Sequence, residues 1–241
     1  TQGDSNGIGY EVIIKSLSDS RIFDIGVPVV YGSSKIMGFY KKQIPDSENI
    51  PTNIISKAEE AHSKRVNIIN CVPDTFMAEP GKATEEGSKA AILALESAVN
   101  DLKRGVIDVL VTAPFNKSSV SKEGFSFPGH TEYLTKEFGS DDSLMFMISD
   151  NIRVGLVTNH VPLAEVSKLV TKERIMKKLA MMCDSLRKDF AVDRPKIAVL
   201  SLNPHNGDGG LLGREEEEVI KPAIREMFDK CELVFGPFPP D

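Results

Sequence analysis

The stretch that decides the fold is Ser201-Leu202-Asn203-Pro204-His205-Asn206-Gly207-Asp208-Gly209-Gly210, which directly follows an apolar run at residues 197–200. The apolar run predicts a buried strand, and Pro204 ends its hydrogen-bond ladder. The three glycines let the backbone approach a bound group closely, and His205 offers an imidazole that can bind metal or substrate. The stretch therefore predicts a strand that ends in a ligand-binding loop.

The same pattern occurs twice more in the chain. Residues 154–157 lead into Thr158-Asn159-His160-Val161-Pro162. Residues 106–111 lead into Thr112-Ala113-Pro114-Phe115-Asn116-Lys117 and then to Pro128-Gly129-His130-Thr131. Ligands bind at the carboxyl ends of strands in open α/β sheets, so we expect the three histidine loops to converge on one site.

Length, charge and cysteine content restrict the class of protein. A chain of 241 residues is long enough for one large or two small α/β lobes. Its net charge of −6 and the absence of a dense basic run argue against a nucleic-acid-binding surface. The three cysteines, Cys71, Cys183 and Cys231, form no C-x-x-C pair and predict reduced thiols in a cytoplasmic protein. No apolar run is long enough to span a bilayer.

The order of the predicted elements favours a mainly parallel sheet. A helix at residues 82–104 with a stripe of small residues precedes the apolar run at 106–111, which predicts a strand-helix-strand unit with parallel pairing. The stripe fits either a dimer interface or an internal packing surface. Runs at 143–148 and 152–157 flank Ser149-Asp150-Asn151 and predict an antiparallel hairpin.

Other segments carry weaker predictions. Residues 43–64 are expected to form an irregular peripheral excursion. Further elements are predicted as helices at 171–190 and 214–228 and strands at 196–202 and 233–235. Pro222 predicts a kink in the second of these helices, and the four glutamates at 215–218 predict its solvated first turn. The turn at residues 3–9 is typical of a tight strand-to-helix connection, with anion binding at the helix start as the alternative.

The spacing of His160 and His205 leaves their role open. Neutral imidazoles bind divalent cations, and two of them with open coordination positions leave room for a substrate oxygen. The two positions match no diagnostic metal-binding spacing. Sharing a metal, capping strand ends and binding substrate are therefore all consistent with the sequence.

Several ordered motifs together resemble the 4-hydroxythreonine-4-phosphate dehydrogenase family of vitamin B6 (pyridoxine and pyridoxal phosphate) biosynthesis. The resemblance runs across essentially the whole chain. Its motifs are Gly3-Asp4-Ser5-Asn6-Gly7-Ile8-Gly9, Ala113-Pro114-Phe115-Asn116-Lys117, Pro128-Gly129-His130-Thr131-Glu132, Thr158-Asn159-His160-Val161-Pro162-Leu163, Leu202-Asn203-Pro204-His205-Asn206-Gly207-Asp208-Gly209-Gly210 and Gly236-Pro237-Phe238-Pro239-Pro240-Asp241.

The resemblance implies a cytoplasmic homodimer of two-lobed α/β subunits, related to isopropylmalate and isocitrate dehydrogenases, with its site at the subunit interface. It implies NAD and a divalent metal (Zn, Mg or Co), used to oxidise 4-phosphooxy-L-threonine and decarboxylate it to 3-amino-2-oxopropyl phosphate. Carried over residue by residue, His160 and His205 match metal ligands, and His130 and Thr131 match substrate contacts.

Two further residues have hypothetical roles. Lys117 is a candidate catalytic acid or base, or a partner for the substrate carboxylate, and Asp241 is a candidate substrate-binding residue. Both have ordinary surface or loop positions as the alternative. The resemblance assigns no residue to the NAD site.

The chain also departs from the family pattern. Ser5 and Tyr10 stand where prolines are usual. The family's third metal histidine and its phosphate-binding residues fall after residue 241, which predicts an incomplete subunit that lacks its C-terminal segment. Two histidines alone would bind a metal weakly, so residues 1–241 by themselves are not expected to be active. The first lobe is expected at about residues 1–110, and the second, with the histidine loops, at 111–241.

Three alternatives remain. Relatives with similar motifs act on other four-carbon hydroxy-acid phosphates, such as threonate or erythronate phosphates. An acyltransferase of the phosphotransacetylase type shares a similar fold and uses neither NAD nor metal. A non-catalytic fragment is the third.

Overall fold

The structure is a computed structural model that describes residues 1–47, 49–230 and 232–240, apart from the side chain of Lys122. The chain forms two compact units, Thr1–Ser140 and Asp141–Asp241. The division between them falls further along the chain than residue 110, where the sequence places the end of the first lobe. The expectation for Cys231 lies outside the described residues.

The first unit is a small parallel sheet covered by helices. Its helices are α1 (Gly9–Leu17), α2 (Ile22–Ile25), α3 (Ser34–Lys41), α4 (Glu85–Lys103), α5 (Lys117–Lys122) and α6 (His130–Glu137), and its strands are β1 (Val29–Gly32), β2 (Thr52–Ile55) and β3 (Val66–Asn70). A 3-10 turn covers Ala58–Glu60. The strand order is β1-β3-β2, with both pairs parallel. The predicted parallel sheet is confirmed here.

The small-residue stripe of α4 packs inside the first unit. Ala94 and Ala98 are fully buried and lie against Tyr31 of β1. Small side chains allow the helix to approach the sheet closely, and the Thr84 hydroxyl caps its start by accepting a hydrogen bond from the Gly87 amide at 3.1 Å. Of the two roles considered for the stripe, internal packing is the one observed.

The turn at residues 3–9 is anchored to the residues before α4. The amide nitrogen of the Asn6 side chain donates to the Thr84 hydroxyl at 2.8 Å, and its oxygen accepts from the backbone of Glu79 at 2.7 Å. Tyr10, fully buried in α1, donates to the side-chain oxygen of Gln2 at 2.6 Å. These contacts hold residues 3–9 as a tight turn that leads into α1, the role that the sequence favours.

Two predictions for the first unit are wrong. Residues 52–55 form strand β2 within the segment expected to be irregular; the strand is short and only Ile55 is buried, so its pattern is faint. Residues 106–111 form no strand, and Val109 and Val111 are 73% and 78% exposed. The backbone of Thr1 donates to the Val111 carbonyl at 2.8 Å and accepts from the Ala113 amide at 3.2 Å. These two bonds lie at the end of the run and do not form a strand ladder along it.

The second unit combines two small sheets with one long helix. Its strands are β4 (Phe146–Ile148), β5 (Arg153–Gly155), β6 (Lys196–Leu200) and β7 (Leu233–Phe238), and its helices are α7 (Val166–Leu169), α8 (Lys172–Lys188) and α9 (Lys221–Asp229). A 3-10 turn covers Leu163–Glu165, and a π-helical turn covers Glu216–Ile220. β4 and β5 pair antiparallel, as the hairpin prediction requires, and β6 and β7 pair parallel.

The core of the second unit lies on one face of α8. Ile175, Leu179 and Leu186 pack with Ile197 of β6 and Val234 of β7. The π-helical turn ends where α9 begins, with Pro222 in the first turn of α9, so the predicted interruption at Pro222 is confirmed. The mixed fold is therefore α/β, mainly parallel with one antiparallel element. The likeness to isopropylmalate and isocitrate dehydrogenases stays a prediction.

The predictions of reduced thiols and of no membrane-spanning segment can be compared with this fold. Cys71 and Cys183 are free thiols, and burial raises the pKa of each to about 11, which keeps both protonated at neutral pH. Among the helices that the structure describes, none combines the length and apolar character needed to cross a membrane.

Candidate functional site

Lys117, Glu132 and His130 gather around Gly129 in the first unit. Lys117 is the first residue of α5, and Asn116 caps that helix by accepting a hydrogen bond from the Ser119 amide at 3.2 Å. A Cβ atom built on Gly129 would lie 3.4 Å from Glu132 Oε2 and 3.8 Å from Lys117 Nζ. An amine and a carboxylate thus both border the backbone that leads into His130.

The His130 imidazole packs against the ring of Phe115, with 4.0 Å between the ring centroids and 42° between their planes. Burial, with smaller contributions from the positive charges of the Thr1 amino group and Lys117, lowers the pKa of His130 to about 4. The ring is therefore neutral at physiological pH and keeps one nitrogen able to accept a proton.

A cluster of aromatic rings packs against the segment that carries His130. Phe115 meets Phe125 edge to face at 5.5 Å, and Phe125 lies 5.3 Å from Tyr133 of α6. Thr131 sits in the first turn of α6, partly buried, and its carbonyl accepts a hydrogen bond from the Thr135 hydroxyl at 2.7 Å. The structure thus places Lys117, His130 and Thr131 together on one packed support.

His160 and His205 lie in the second unit, each in a loop that follows a strand. Both side chains are exposed, and both residues have left-handed backbone conformations, with φ values of 52° and 51°. That conformation costs a residue with a Cβ atom roughly 1–2 kcal/mol, and non-glycine residues that keep it cluster at functional sites. The β5 segment up to Thr158 and the β6 segment up to Leu202 line one cavity of about 710 Å³, so both loops begin at the same cavity.

The His205 loop is a run of left-handed residues that rests on a buried glutamate. Residues 205–209 all have positive φ. Glu216 Oε1 accepts hydrogen bonds from the backbone amides of Leu202 at 2.8 Å and Asn203 at 2.7 Å, and Oε2 accepts from the Asn203 side chain at 3.0 Å. Burial alone would raise the pKa of Glu216, but these hydrogen bonds outweigh it and hold the pKa below its usual value.

The prediction of a solvated first turn at residues 215–218 is wrong for Glu216, which has no exposed surface. The signal that could have found it is helical spacing, because Glu216 stands four and seven residues before the buried Ile220 and Ala223. A run of four acidic residues masks that spacing when the sequence is read for charge.

The donor chemistry of the second unit fits a divalent cation in part. Imidazole is a good ligand for Zn and similar cations. Across the residues the structure describes, however, no group of three His, Cys, Asp or Glu side chains comes together as a metal site. His160 and His205 could supply two ligands, and Asp241 lies outside the described residues.

The histidine loops belong to different units. Lys117, His130 and Thr131 are in the first unit, and His160 and His205 are in the second. The convergence of all three loops stays a prediction. Within each unit, polar groups that can bind a ligand stand on loops or helix starts supported by a packed core.

These features define a two-unit α/β protein that carries histidines on loops and at a helix start, an architecture found in many enzymes of small metabolites. A family model described as "Pyridoxal phosphate biosynthetic protein PdxA" matches residues 24–241. The chain belongs to this family.

Named relatives agree with the family match. The chain is 45% identical over 242 residues to a 4-hydroxythreonine-4-phosphate dehydrogenase of Bacteroides thetaiotaomicron and 32% identical over 241 residues to one of Sulfurihydrogenibium sp.. Both alignments cover the whole of this chain. They cover 66% of the Bacteroides protein and 73% of the Sulfurihydrogenibium protein. A crystal structure of the Klebsiella pneumoniae enzyme of that name superposes on this chain with a TM-score of 0.84 and 28% sequence identity. The match covers 100% of this chain and 72% of the Klebsiella chain. The chain thus spans about two thirds of the length of its relatives.

Proposed function

We propose that the protein oxidises 4-phosphooxy-L-threonine with NAD and a divalent cation (Zn, Mg or Co) and decarboxylates it to 3-amino-2-oxopropyl phosphate, in pyridoxal phosphate biosynthesis. The family match and the names of the relatives support this reaction. The observation that carries it is the grouping of Lys117 and Glu132 at Gly129 beside a neutral His130.

His130 has the properties needed to handle a proton of the substrate. Oxidation of an alcohol removes a hydride from carbon and a proton from oxygen, and a neutral imidazole near the hydroxyl can accept that proton as a weak base, because its pKa is about 4. Its partial burial against Phe115 restricts the ring orientation. Thr131, next in the chain, offers a hydroxyl group to the same ligand.

Lys117 supplies a positive charge beside this imidazole. A substrate with carboxylate and phosphate groups is anionic, and a lysine amine attracts either group. The same charge contributes to keeping His130 neutral. Lys117 therefore serves as the catalytic partner of His130, either by binding the carboxylate that is lost or by returning a proton to the product.

The two cofactors supply the remaining chemistry. Hydride acceptance is the contribution of NAD. A divalent cation, when bound, would polarise the substrate oxygen. His160 and His205 would hold the cation, and Asp241 would contact substrate. The homodimer with a site at its interface and the cytoplasmic location are proposed from the family resemblance.

A substrate panel tests the proposal. The full-length protein is assayed for NADH formation with 4-phosphooxy-L-threonine, erythronate 4-phosphate and threonate 4-phosphate, each with and without a chelator. We expect NADH with the first compound and its loss on chelation. Preference for either sugar-acid phosphate would reassign the substrate, and acetyl phosphate formation from acetyl-CoA without NADH would favour an acyltransferase.

His160→Ala and His205→Ala provide the site-directed arm of this test. Both residues are exposed, so loss of either side chain removes little packing. We expect each variant to fold and to lose metal-dependent NADH formation. Full activity in both variants would contradict the assignment of these histidines to the cation.

A further inference from the structure

Glu216 differs from its acidic neighbours in being completely buried. It has no exposed surface, whereas Glu217 and Glu218 are exposed. A buried carboxylate is costly unless hydrogen bonds replace the water it loses. Glu216 receives these bonds from the chain at the end of β6, where it accepts from the amides of Leu202 and Asn203 and from the Asn203 side chain.

The same carboxylate also lies close to Gly207, two residues after His205. A Cβ atom built on Gly207 would lie 2.8 Å from Glu216 Oε2 and 2.9 Å from the Gly213 carbonyl oxygen. The chain is therefore hydrogen-bonded to Glu216 before His205, at Leu202 and Asn203, and packs closely on the same carboxylate after it, at Gly207. Three residues separate Asn203 from Gly207, so the backbone of His205 has little freedom to move.

This arrangement explains how His205 keeps an unfavourable backbone conformation. Its φ of 51° is strained for a residue with a Cβ atom and persists only where the surroundings enforce it. The contacts of Glu216 on either side supply that enforcement. A glutamine would match the size of Glu216 but would place an NH₂ group against either the backbone amides or the Asn203 NH₂ group.

We propose that Glu216 is the positioning residue of His205, holding its imidazole in place through Leu202, Asn203 and Gly207. The binding consequence rests on the proposed function, because it takes His205 as a ligand of the divalent cation. The positioning itself does not depend on the cation. Residues that orient a metal ligand commonly change metal affinity by 10–100-fold when replaced.

The test compares Glu216→Gln with Glu217→Gln. Both variants remove one negative charge from the same turn, but Glu217 is exposed and pairs with Lys221. NMR spectra report the amides of Leu202 and Asn203 and the ring of His205, and calorimetric titration with Zn²⁺ alone reports metal affinity. In Glu216→Gln we expect shifted amide and ring signals and at least tenfold weaker Zn²⁺ binding, with helix content by circular dichroism unchanged. Glu217→Gln should match the wild type.

A folded Glu216→Gln variant with wild-type His205 ring signals and Zn²⁺ affinity would overturn the proposal.

If that variant does not fold, Asn203→Ala replaces it. This variant removes the side-chain donor but keeps both amide bonds to Oε1, so a smaller shift of the His205 signals is expected, and unchanged signals would again overturn the proposal. If the wild type binds no Zn²⁺ while Glu216→Gln still shifts the His205 signals, positioning stands and the metal part of the proposed function fails.

Discussion

The ring of Phe115 packs on the imidazole of His130 with 4.0 Å between centroids. His130 is the first residue of α6, and the contact with Phe115 shields part of its ring from water. Burial of this kind is the main cause of the lowered pKa of His130. Packing and acid-base behaviour are thus linked at a single position, and both can be measured.

The pKa of His130 is the first of these measurements. Titration followed by NMR of the imidazole ring should give a value of about 4 in the folded protein. Lys117→Met should raise the value but leave it below about 6.5, the ordinary histidine pKa, because burial remains. Lys15→Met, on the exposed face of α1, should leave it unchanged. A wild-type ring that titrates near 6.5 would contradict the assigned environment.

Acid stability should follow from the same pKa. The folded protein binds the His130 proton near pH 4 and the unfolded chain binds it near 6.5, so the unfolded state holds more protons between these values. The free energy of unfolding should therefore fall as pH falls from about 6.5 to 4. Urea unfolding of His130→Asn should show a flatter dependence across this window. Identical slopes in the two proteins would mean that His130 has the same pKa in the folded and unfolded states, which would contradict the lowered pKa.

Gly207 should tolerate alanine less well than Gly209. Both have left-handed backbones, with φ of 76° and 64°, so alanine costs each roughly 1 kcal/mol in strain. A Cβ atom at Gly207 also meets Glu216 and Gly213 below 3 Å, whereas nothing lies within 4 Å of one at Gly209. Chemical denaturation should show Gly207→Ala less stable than Gly209→Ala by about 1–3 kcal/mol. Equal losses would mean that the loop does not rest on Glu216.

Thr84 should contribute more to stability than the corresponding cap in the second unit. Its hydroxyl caps α4 and also accepts a hydrogen bond from Asn6. Thr171 caps α8 by accepting from the Arg174 amide at 3.2 Å and serves as the matched control. We expect Thr171→Ala to cost about 1 kcal/mol and Thr84→Ala about 2 kcal/mol, because the latter leaves the Asn6 donor unpaired. The measurement is urea unfolding of both variants; equal losses would show that the Asn6 bond adds nothing.

Local signals allowed much of the fold to be predicted from the sequence. The stripe of small residues and the apolar spacing predicted α4 and α8, the polar residues between two apolar runs predicted the β4-β5 hairpin, and Pro222 predicted the interruption at the start of α9. Each of these signals acts within a few residues of the chain. The predicted convergence of the three histidine loops stays a prediction, whereas the structure places Lys117 close to Gly129, the residue before His130.

The remaining features depend on partners that are distant in the chain. β2 is a strand because it pairs with β3, whereas residues 106–111 form no strand despite their apolar sequence. The burial of Glu216 depends on amide groups more than ten residues away. Periodicity within a segment contains no information about such partners.

The most direct test of the central claim is the stoichiometry of a single reaction. The protein, supplied with NAD, a divalent cation and 4-phosphooxy-L-threonine, should release one carbon dioxide for each NADH formed, and His130→Asn should slow both equally, by roughly 10²–10⁴-fold. NADH without carbon dioxide would contradict the coupled decarboxylation. The formation of neither product from 4-phosphooxy-L-threonine by the folded wild-type protein would contradict the proposed reaction itself.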